Sequence, residues 1–362
     1  MDMRLVPDLE VEHSGDEWLN YGELSMSRIY GEISSSGIRV PGRKGGARVN
    51  GYCLKHIEEF VSEILNSSDS GYDFETDIFG ARATLTKLGE KYVERVDAFI
   101  DNYEPNLEYS EYVTLFYRIC EELGLHNRAF SFKGSYPFPG LEKEQLLNRL
   151  ISEIRRIGTS DDFKDGVRRR KQNSRRNYIS LVEYVNQLFG RYSRMLVLRL
   201  DFYYPNNGID DVNGIEAGKL RQKFLNNTRG NTLFKEMVGY IWKLELGVSR
   251  GLHLHFAFFY DGSRVRKDAF LGERIGMYWK NRITDGNGSF HNCNLRKSEY
   301  RNLGIGMVSH DDSAKREELL NVLGYLTKTE QYLKFKTKVR VKVFGKGGLG
   351  PGKSSRGRPR KG

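Results

Sequence analysis

A chain of 362 residues is long enough for two or three domains with a sizeable buried core. It contains no apolar run of roughly eighteen residues, so no membrane-spanning helix is expected, and its opening, MDMRLVPDLEVEHSGDEW, is acidic and unlike a signal peptide. Three widely spaced cysteines (Cys53, Cys120, Cys293) argue against a disulfide framework and for a reducing, cytoplasmic setting.

The net charge of +11 has a definite location. From Lys334 to Gly362 there are eleven cations and no acid; removing them from the 58 basic residues leaves 47, equal to the 47 acidic ones. The excess is thus a C-terminal tail of residues 334–362, predicted to be disordered. Such a tail suits a polyanion, most often nucleic acid. It ends in SSRGRPRKG, where Arg356, Arg358, Arg360 and Lys361 form an RGRPRK core similar to an AT-hook for narrow minor grooves. A nonspecific phosphate-binding tail fits the same residues.

Met1 to about Gly51 has weak periodicity and reads as loosely structured. Helical spacing follows over Tyr52–Asn66, Thr84–Tyr103, Tyr109–Leu123 and Glu142–Ile157. Residues 1–189 therefore form a mostly helical region, and no catalytic constellation stands out in it. The basic run VRRRKQNSRRN (Val167–Asn177) reads as a solvated helix face or a linker, with DNA contact as a further reading.

From Arg194 the character changes. Met195–Tyr203 (MLVLRLDFY) is a strand with Leu196, Leu198, Leu200 and Phe202 on one face. A helix is predicted over Glu216–Asn227, then a hairpin in the run from Ile241 to Phe259, IWKLELGVSRGLHLHFAFF. An amphipathic helix over Lys267–Ile283, a strand over Ile305–Ser309 and a helix over Ala314–Leu333, capped by Asp312 or Ser313, complete the order. The class is α+β: a mainly antiparallel sheet with flanking helices over 190–333, after the helical region.

The hairpin carries the chemistry. Gly247 and Gly251 bracket its turn. If Leu246 pairs with Leu252, Glu245 lies opposite His253, with Cβ atoms roughly 5 Å apart. His255 shares the face of His253 two residues on, so a carboxylate and two imidazoles can converge on one divalent cation. Strand histidines are also ordinary half-buried polar residues, so a structural role stays open. Neither HExxH nor HxHxDH spacing is present. In the last predicted helix, Lys328 falls about 60° and Tyr332 about 20° from Tyr325 around the axis, so the three share a face. A helix tyrosine is commonly a core aromatic. Beside a metal and a lysine it could also act as a nucleophile.

A strand ending near Tyr203, then HLH, then YLTK resembles the ordered motifs of HUH endonucleases, the rolling-circle replication initiators. More closely, YIWKLELGVSRGLHLHFAFFYDGS, IGMYWKNRITDGNGSFHNCN, GIGMVSHDD and VLGYLTKTEQYLK resemble the inovirus gene-two family, also described as the YagK/YfjJ C-terminal domain, over roughly Arg194–Phe344. The resemblance implies an antiparallel sheet centred on the HLH strand, with Mg²⁺ or Mn²⁺ held by His253, His255 and Glu245. It implies that Tyr325 nicks one DNA strand as a 5′-phosphotyrosine, assisted by Lys328. Implied partners are single-stranded and origin DNA, with a host helicase and polymerase acting afterwards. Arg199 and Asp201 depart from the small hydroxyl residues common in the first motif. The spacing of seven from Tyr325 to Tyr332 departs from the spacing of four in two-tyrosine initiators. A relaxase or transposase of the same superfamily, a non-catalytic DNA-binding regulator on the same fold, and an RNA-binding protein are the alternative readings.

Overall fold

The structure is a computed structural model that describes residues 38–39 and 48–349, apart from 79, 106, 129, 134–141, 205–213, 248–250, 300–302, 328–332 and 336–341. Most of the first fifty residues, expected to be loosely structured, therefore lie outside the described residues.

The N-terminal region begins with paired short strands β1 (Ile38–Arg39) and β2 (Arg48–Val49). Helix α1 (Gly51–Asn66) starts where the Asn50 side chain accepts the Tyr52 N–H at 2.9 Å, satisfying one of the donors a helix start leaves open. Strands β3 (Tyr72–Asp77) and β4 (Gly80–Leu85) form a hairpin, and α2 (Lys87–Asp101) follows. The helix expected from Thr84 thus starts later. Thr84 and Leu85 pair with Asp73 and Tyr72, and Thr86 caps α2 by accepting the Gly89 N–H at 3.0 Å. Strand β5 (Leu107–Tyr109) likewise takes Tyr109 from the next predicted helix, which is α3 (Glu111–Glu122). Helix α4 (Glu142–Gly158) matches its expected span to within a residue. The apolar stripes of these helices meet in one core, where Ile57, Phe60 and Ile64 pack with Tyr92, Phe99, Phe116, Leu150 and Ile154.

Helix α5 (Asp161–Arg191) is 31 residues long, and Ser160 caps it by accepting the Phe163 N–H at 3.4 Å. The basic run Val167–Asn177 lies wholly inside this helix, so it is a helix face and not a linker.

The second region follows as β6 (Arg194–Tyr203), α6 (Gly214–Asn227), β7 (Met237–Gly247), β8 (Gly251–Asp261) and α7 (Asp268–Tyr278), which runs into a π-helical turn (Trp279–Ile283). Then come β9 (Ser289–Asn292), β10 (Gly306–Ser309), α8 (Ser313–Gly324), a 3₁₀ turn (Tyr325–Thr327), β11 (Leu333–Phe335) and β12 (Phe344–Lys346). The fold class is α+β, as expected. The central sheet is antiparallel with order β10–β6–β8–β7–β12, and β9 shares the outer side of β6 with β10.

Both faces of this sheet are covered by helices. Even-numbered residues of β6 and β8, among them Leu200, Phe202, Phe256 and Phe258, pack on Phe224 of α6 and on Ile275 and Trp279. Odd-numbered residues Met195, Val197, Ile241, Ala257 and Phe259 pack on Leu181, Val185 and Leu188 of α5 and on Leu319 and Leu323 of α8. Further along the same odd face the residues change from apolar to charged, and there the site lies.

The C-terminal part differs from expectation. The helix predicted through Leu333 ends at Gly324. Thr327 donates its hydroxyl to the Gly324 carbonyl at 2.8 Å, and Leu333 already belongs to β11, paired with Tyr109 of β5. The segment expected to be a free tail from 334 supplies β12, which pairs Phe344 with Lys243 and Lys346 with Ile241. Lys346 Nζ donates to the Ser180 carbonyl of α5 at 2.7 Å. Among the described residues no helix is long and apolar enough to cross a membrane, and Cys53, Cys120 and Cys293 are free thiols.

Asp97 of α2 is the buried charge that ties the 131–133 segment down. It accepts from Ser131 Oγ at 2.6 Å, Arg128 Nε at 3.1 Å, and the Phe132 and Lys133 amides at 3.2 and 3.3 Å. Burial alone would raise its pKa; these donors and the guanidinium outweigh that and hold it below the ordinary value. A depressed carboxyl pKa contributes stability above the unfolded value of about 3.9, and that contribution is lost as pH falls through the folded value. Asp97→Asn is expected to cost about 2 kcal/mol at pH 7, a difference that shrinks as the pH falls below about 4; urea unfolding at both pH values checks it.

Candidate metal centre

The register of three strands assembles the site. Leu246 pairs with Leu252, so Glu245 stands directly opposite His253, as the turn spacing predicts. The same ladder sets Lys243 opposite His255. On the other side of β8, β6 sets Asp201 opposite His255 and Tyr203 opposite His253. His255 is thus flanked by a carboxylate on one neighbouring strand and a lysine on the other.

One ligating atom each from Glu245, His253 and His255 lies within 4.8 Å of the others. His253 Nε2 and His255 Nε2 are 3.0 Å apart, and Glu245 Oε2 is 3.3 Å from His255 Nε2. Two ligands at right angles around an ion bonded at roughly 2.1 Å stand about 3.0 Å apart, so the spacing fits a divalent cation. Two imidazole nitrogens this close need a proton or a cation between them. Among the described residues Glu245 Oε2 is buried with no hydrogen-bond partner, while Lys243 Nζ stands 3.5 Å away. Imidazole and carboxylate without thiolate suit a hard or borderline ion such as Mg²⁺, Mn²⁺ or Zn²⁺.

Behind the ligands is a buried support. Asp201 Oδ1 is 2.6 Å from His255 Nδ1. A carboxylate oxygen only accepts, so Nδ1 carries a proton, and the ring is held with Nε2 turned toward His253 and Glu245. Arg199 Nη2 also lies 2.8 Å from Nδ1, but a protonated Nδ1 cannot accept from it. The guanidinium instead donates to Asp201 Oδ1, from Nε at 3.2 Å and Nη2 at 3.0 Å.

The electrostatics follow from burial and pairing. Burial would push both carboxyls up. For Glu245 the Lys243 ammonium and the two histidines outweigh burial, and for Asp201 His255 and Arg199 do, so both carboxyls are held well below the ordinary range. Both are therefore anions at neutral pH. Arg199 is held firmly protonated: burial opposes its charge, and the Asp201 carboxylate more than compensates.

Tyr325 opens the 3₁₀ turn that ends α8, and it reaches this cluster. Its ring centroid is 6.1 Å from that of His255, edge to face, and Lys243 Nζ lies 5.6 Å from the Tyr325 centroid. The residue is 36% exposed whereas His253 and His255 are each 4% exposed, so the phenol sits at the rim and the ligands inside. Of the residues singled out in the sequence, Glu245, His253, His255 and Tyr325 are brought together. Lys328, Tyr332, Arg356, Arg358, Arg360 and Lys361 lie outside the described residues, as does the helical face expected to join Lys328 and Tyr332 to Tyr325; α8 itself ends at Gly324.

Sequence reasoning missed the roles of Arg199, Asp201 and Lys243. Strand alternation puts Arg199 and Asp201 on one face and Lys243 beside Glu245, but which face of β6 meets the histidines depends on a long-range register. The lysine beside Tyr325 in space is Lys243, from a strand about eighty residues earlier.

The family described as YagK/YfjJ C-terminal domain matches residues 162–347, just over half of the chain, from the first turn of α5 through β12. No curated protein and no solved structure matches.

Removing one partner of a buried ion pair leaves the other charge uncompensated. With Arg199 9% and Asp201 2% exposed, Arg199→Leu is expected to cost about 3 kcal/mol or more. Chemical denaturation checks this against Arg264→Leu, whose guanidinium is exposed, so its ion pairs should be worth under about 1 kcal/mol.

Proposed function

We propose, from the premise that the chain belongs to the YagK/YfjJ C-terminal domain family, that it is a metal-dependent nickase of the HUH type. On this reading it cuts one strand of DNA at a specific site to start rolling-circle replication of a phage or related mobile element. The observation that carries the reading is the convergence of Glu245, His253 and His255 on one point in ring contact with Tyr325.

Glu245, His253 and His255 would hold the cation, with Mg²⁺ or Mn²⁺ the ions expected for this chemistry. Such an ion, when bound, polarises a phosphoryl oxygen and offsets the charge that builds there. The protein does the rest. Asp201 fixes the orientation and tautomer of His255, and Arg199 holds Asp201 in place. Tyr325 Oη attacks the scissile phosphorus as its proton leaves to solvent at the rim. The P–O3′ bond breaks, the 3′ oxygen takes up a proton from water, and the 5′ phosphate stays covalently on Tyr325. The ammonium of Lys243, 5.6 Å from the Tyr325 ring centroid, favours the negative charge that develops on the phenol oxygen. The phosphotyrosine conserves the energy of the cut bond, so a later hydroxyl can rejoin the strand.

Covalent capture tests this. The full chain is incubated with Mn²⁺ and single-stranded DNA of its own element, and adducts are resolved on denaturing gels. A Mn²⁺-dependent adduct is expected, absent in Tyr325→Phe and in His253→Ala. Asp201→Asn should require about 10–100-fold more Mn²⁺ for the same yield. An adduct that persists in Tyr325→Phe, or tight binding without any adduct, would overturn the reading; the second outcome would favour a DNA-binding regulator.

A further inference from the structure

The longest helix carries a feature that the cluster at Tyr325 does not use. Lys164, Arg168, Lys171 and Arg175 of α5 are spaced four, three and four residues apart, so they fall within about 60° of one another around the axis. All four are exposed. They form one wall of a groove of about 540 Å³ whose other wall is built from the ends of α1 and α4 and from Tyr112 of α3. The floor is apolar and aromatic: Leu65, Phe163 and Val167 lie in it, and the Phe163 and Tyr112 rings stand edge to face with centroids 5.5 Å apart.

The groove leads to the candidate nucleophile. Ser174, next to Arg175, donates its hydroxyl to the Thr327 carbonyl at 2.5 Å, two residues beyond Tyr325. One turn further along α5, the Tyr178 ring packs against Gly324, the residue just before Tyr325. The cationic row therefore starts beside the turn that carries Tyr325 and runs away from it along α5 for about 16 Å. That length spans about five stacked nucleotides.

We infer that this groove is a track for single-stranded DNA, which leads the strand to or from Tyr325. The inference rests on the nickase reading for the identity of the strand. Four cations in a row match a phosphate backbone, whose charges repeat along one line. An aromatic and apolar floor suits bases with free faces and edges, which a duplex keeps stacked inside. Two of the acids nearby are already engaged or open to competition. Glu111 beside Tyr112 is engaged by Arg170, and Asp165 pairs with Arg168 at an exposed position where a phosphate can compete. Residues 334–362 carry cations of their own, so the track is tested by what changes when its own cations are removed from the full chain.

The test measures fluorescence anisotropy of a labelled single-stranded oligonucleotide against salt. The full chain is compared with a Lys164→Gln, Lys171→Gln, Arg175→Gln triple variant. A control with the same net charge carries Arg229→Gln, Arg264→Gln and Lys280→Gln, which are exposed and outside the groove. Three lost single-strand phosphate contacts should reduce the log–log salt slope by about 2 and weaken binding about tenfold or more at moderate salt. The control should stay close to wild type, and a duplex of the same sequence should lose much less than the single strand. A triple variant that matches the control in affinity and slope overturns the track, and so does an equal loss for duplex. The nickase reading fails separately. If the groove variant loses single-strand binding while the wild type forms no adduct, the track stands and the cutting chemistry falls. If adducts form equally in wild type and triple variant at limiting DNA, the chemistry stands and the track falls.

Discussion

Everything at the site depends on strand alternation acting across three strands at once. Side chains switch faces at each residue, so antiparallel register alone decides which of them meet. On the odd-numbered face of β6, β8 and β7, that register stacks Arg199 and Asp201, then His253 and His255, then Lys243 and Glu245. A slip of one residue in either ladder would send at least one strand's pair to the opposite face, into the aromatic core around Phe202, Phe256 and Trp279. The core therefore protects the site. Moving a carboxylate or an arginine among those rings costs far more than the ladder could tolerate, and Phe or Leu would be lost from the interior at the same time.

The second constraint is electrical. Six ionisable side chains share a largely buried patch, and each is placed where its charge has a counterpart. Arg199 faces Asp201, Asp201 faces His255, and Lys243 faces Glu245. Burial works against the charges of Arg199, Asp201 and Glu245, and the pairing overcomes it, so the acids stay ionised. The remaining tension is between the two Nε2 atoms, which face each other with a carboxylate beside them. That arrangement has the spacing and donor atoms that could hold a cation. It is the usual signature of a functional site, where local chemistry departs from what packing alone would choose.

Much of this was legible from the chain. The α+β class, the faces of α1 and α4, the β7–β8 register and the pairing of Glu245 with His253 all follow from short-range patterns, where a turn or a periodicity acts within a few residues. What could not be read depends on contacts far apart in sequence. Thr84 and Leu85 continue a helical pattern but are claimed by the β3–β4 ladder. Leu333 fits the periodicity of α8 but is claimed by β5. The basic run within α5 was legible as a helix face, whereas the groove beneath it needed the ends of α1 and α4 to be in place. Asp201 and Lys243 were visible as polar residues in otherwise apolar strands. Their tasks became readable only with the long-range pairing of β6 to β8 and the approach of Tyr325.

The two short strands at the end of the chain also bear on how the protein is made. β11 pairs with β5, more than two hundred residues earlier, and β12 closes the outer edge of β7. Neither pairing can form until almost the whole polypeptide has been synthesised, so during translation β7 presents an open edge even after the turn bearing Tyr325 has been made. Contacts of such sequence separation also form slowly. The strand that carries Glu245 is consequently covered late, after every member of the cluster it belongs to has been made.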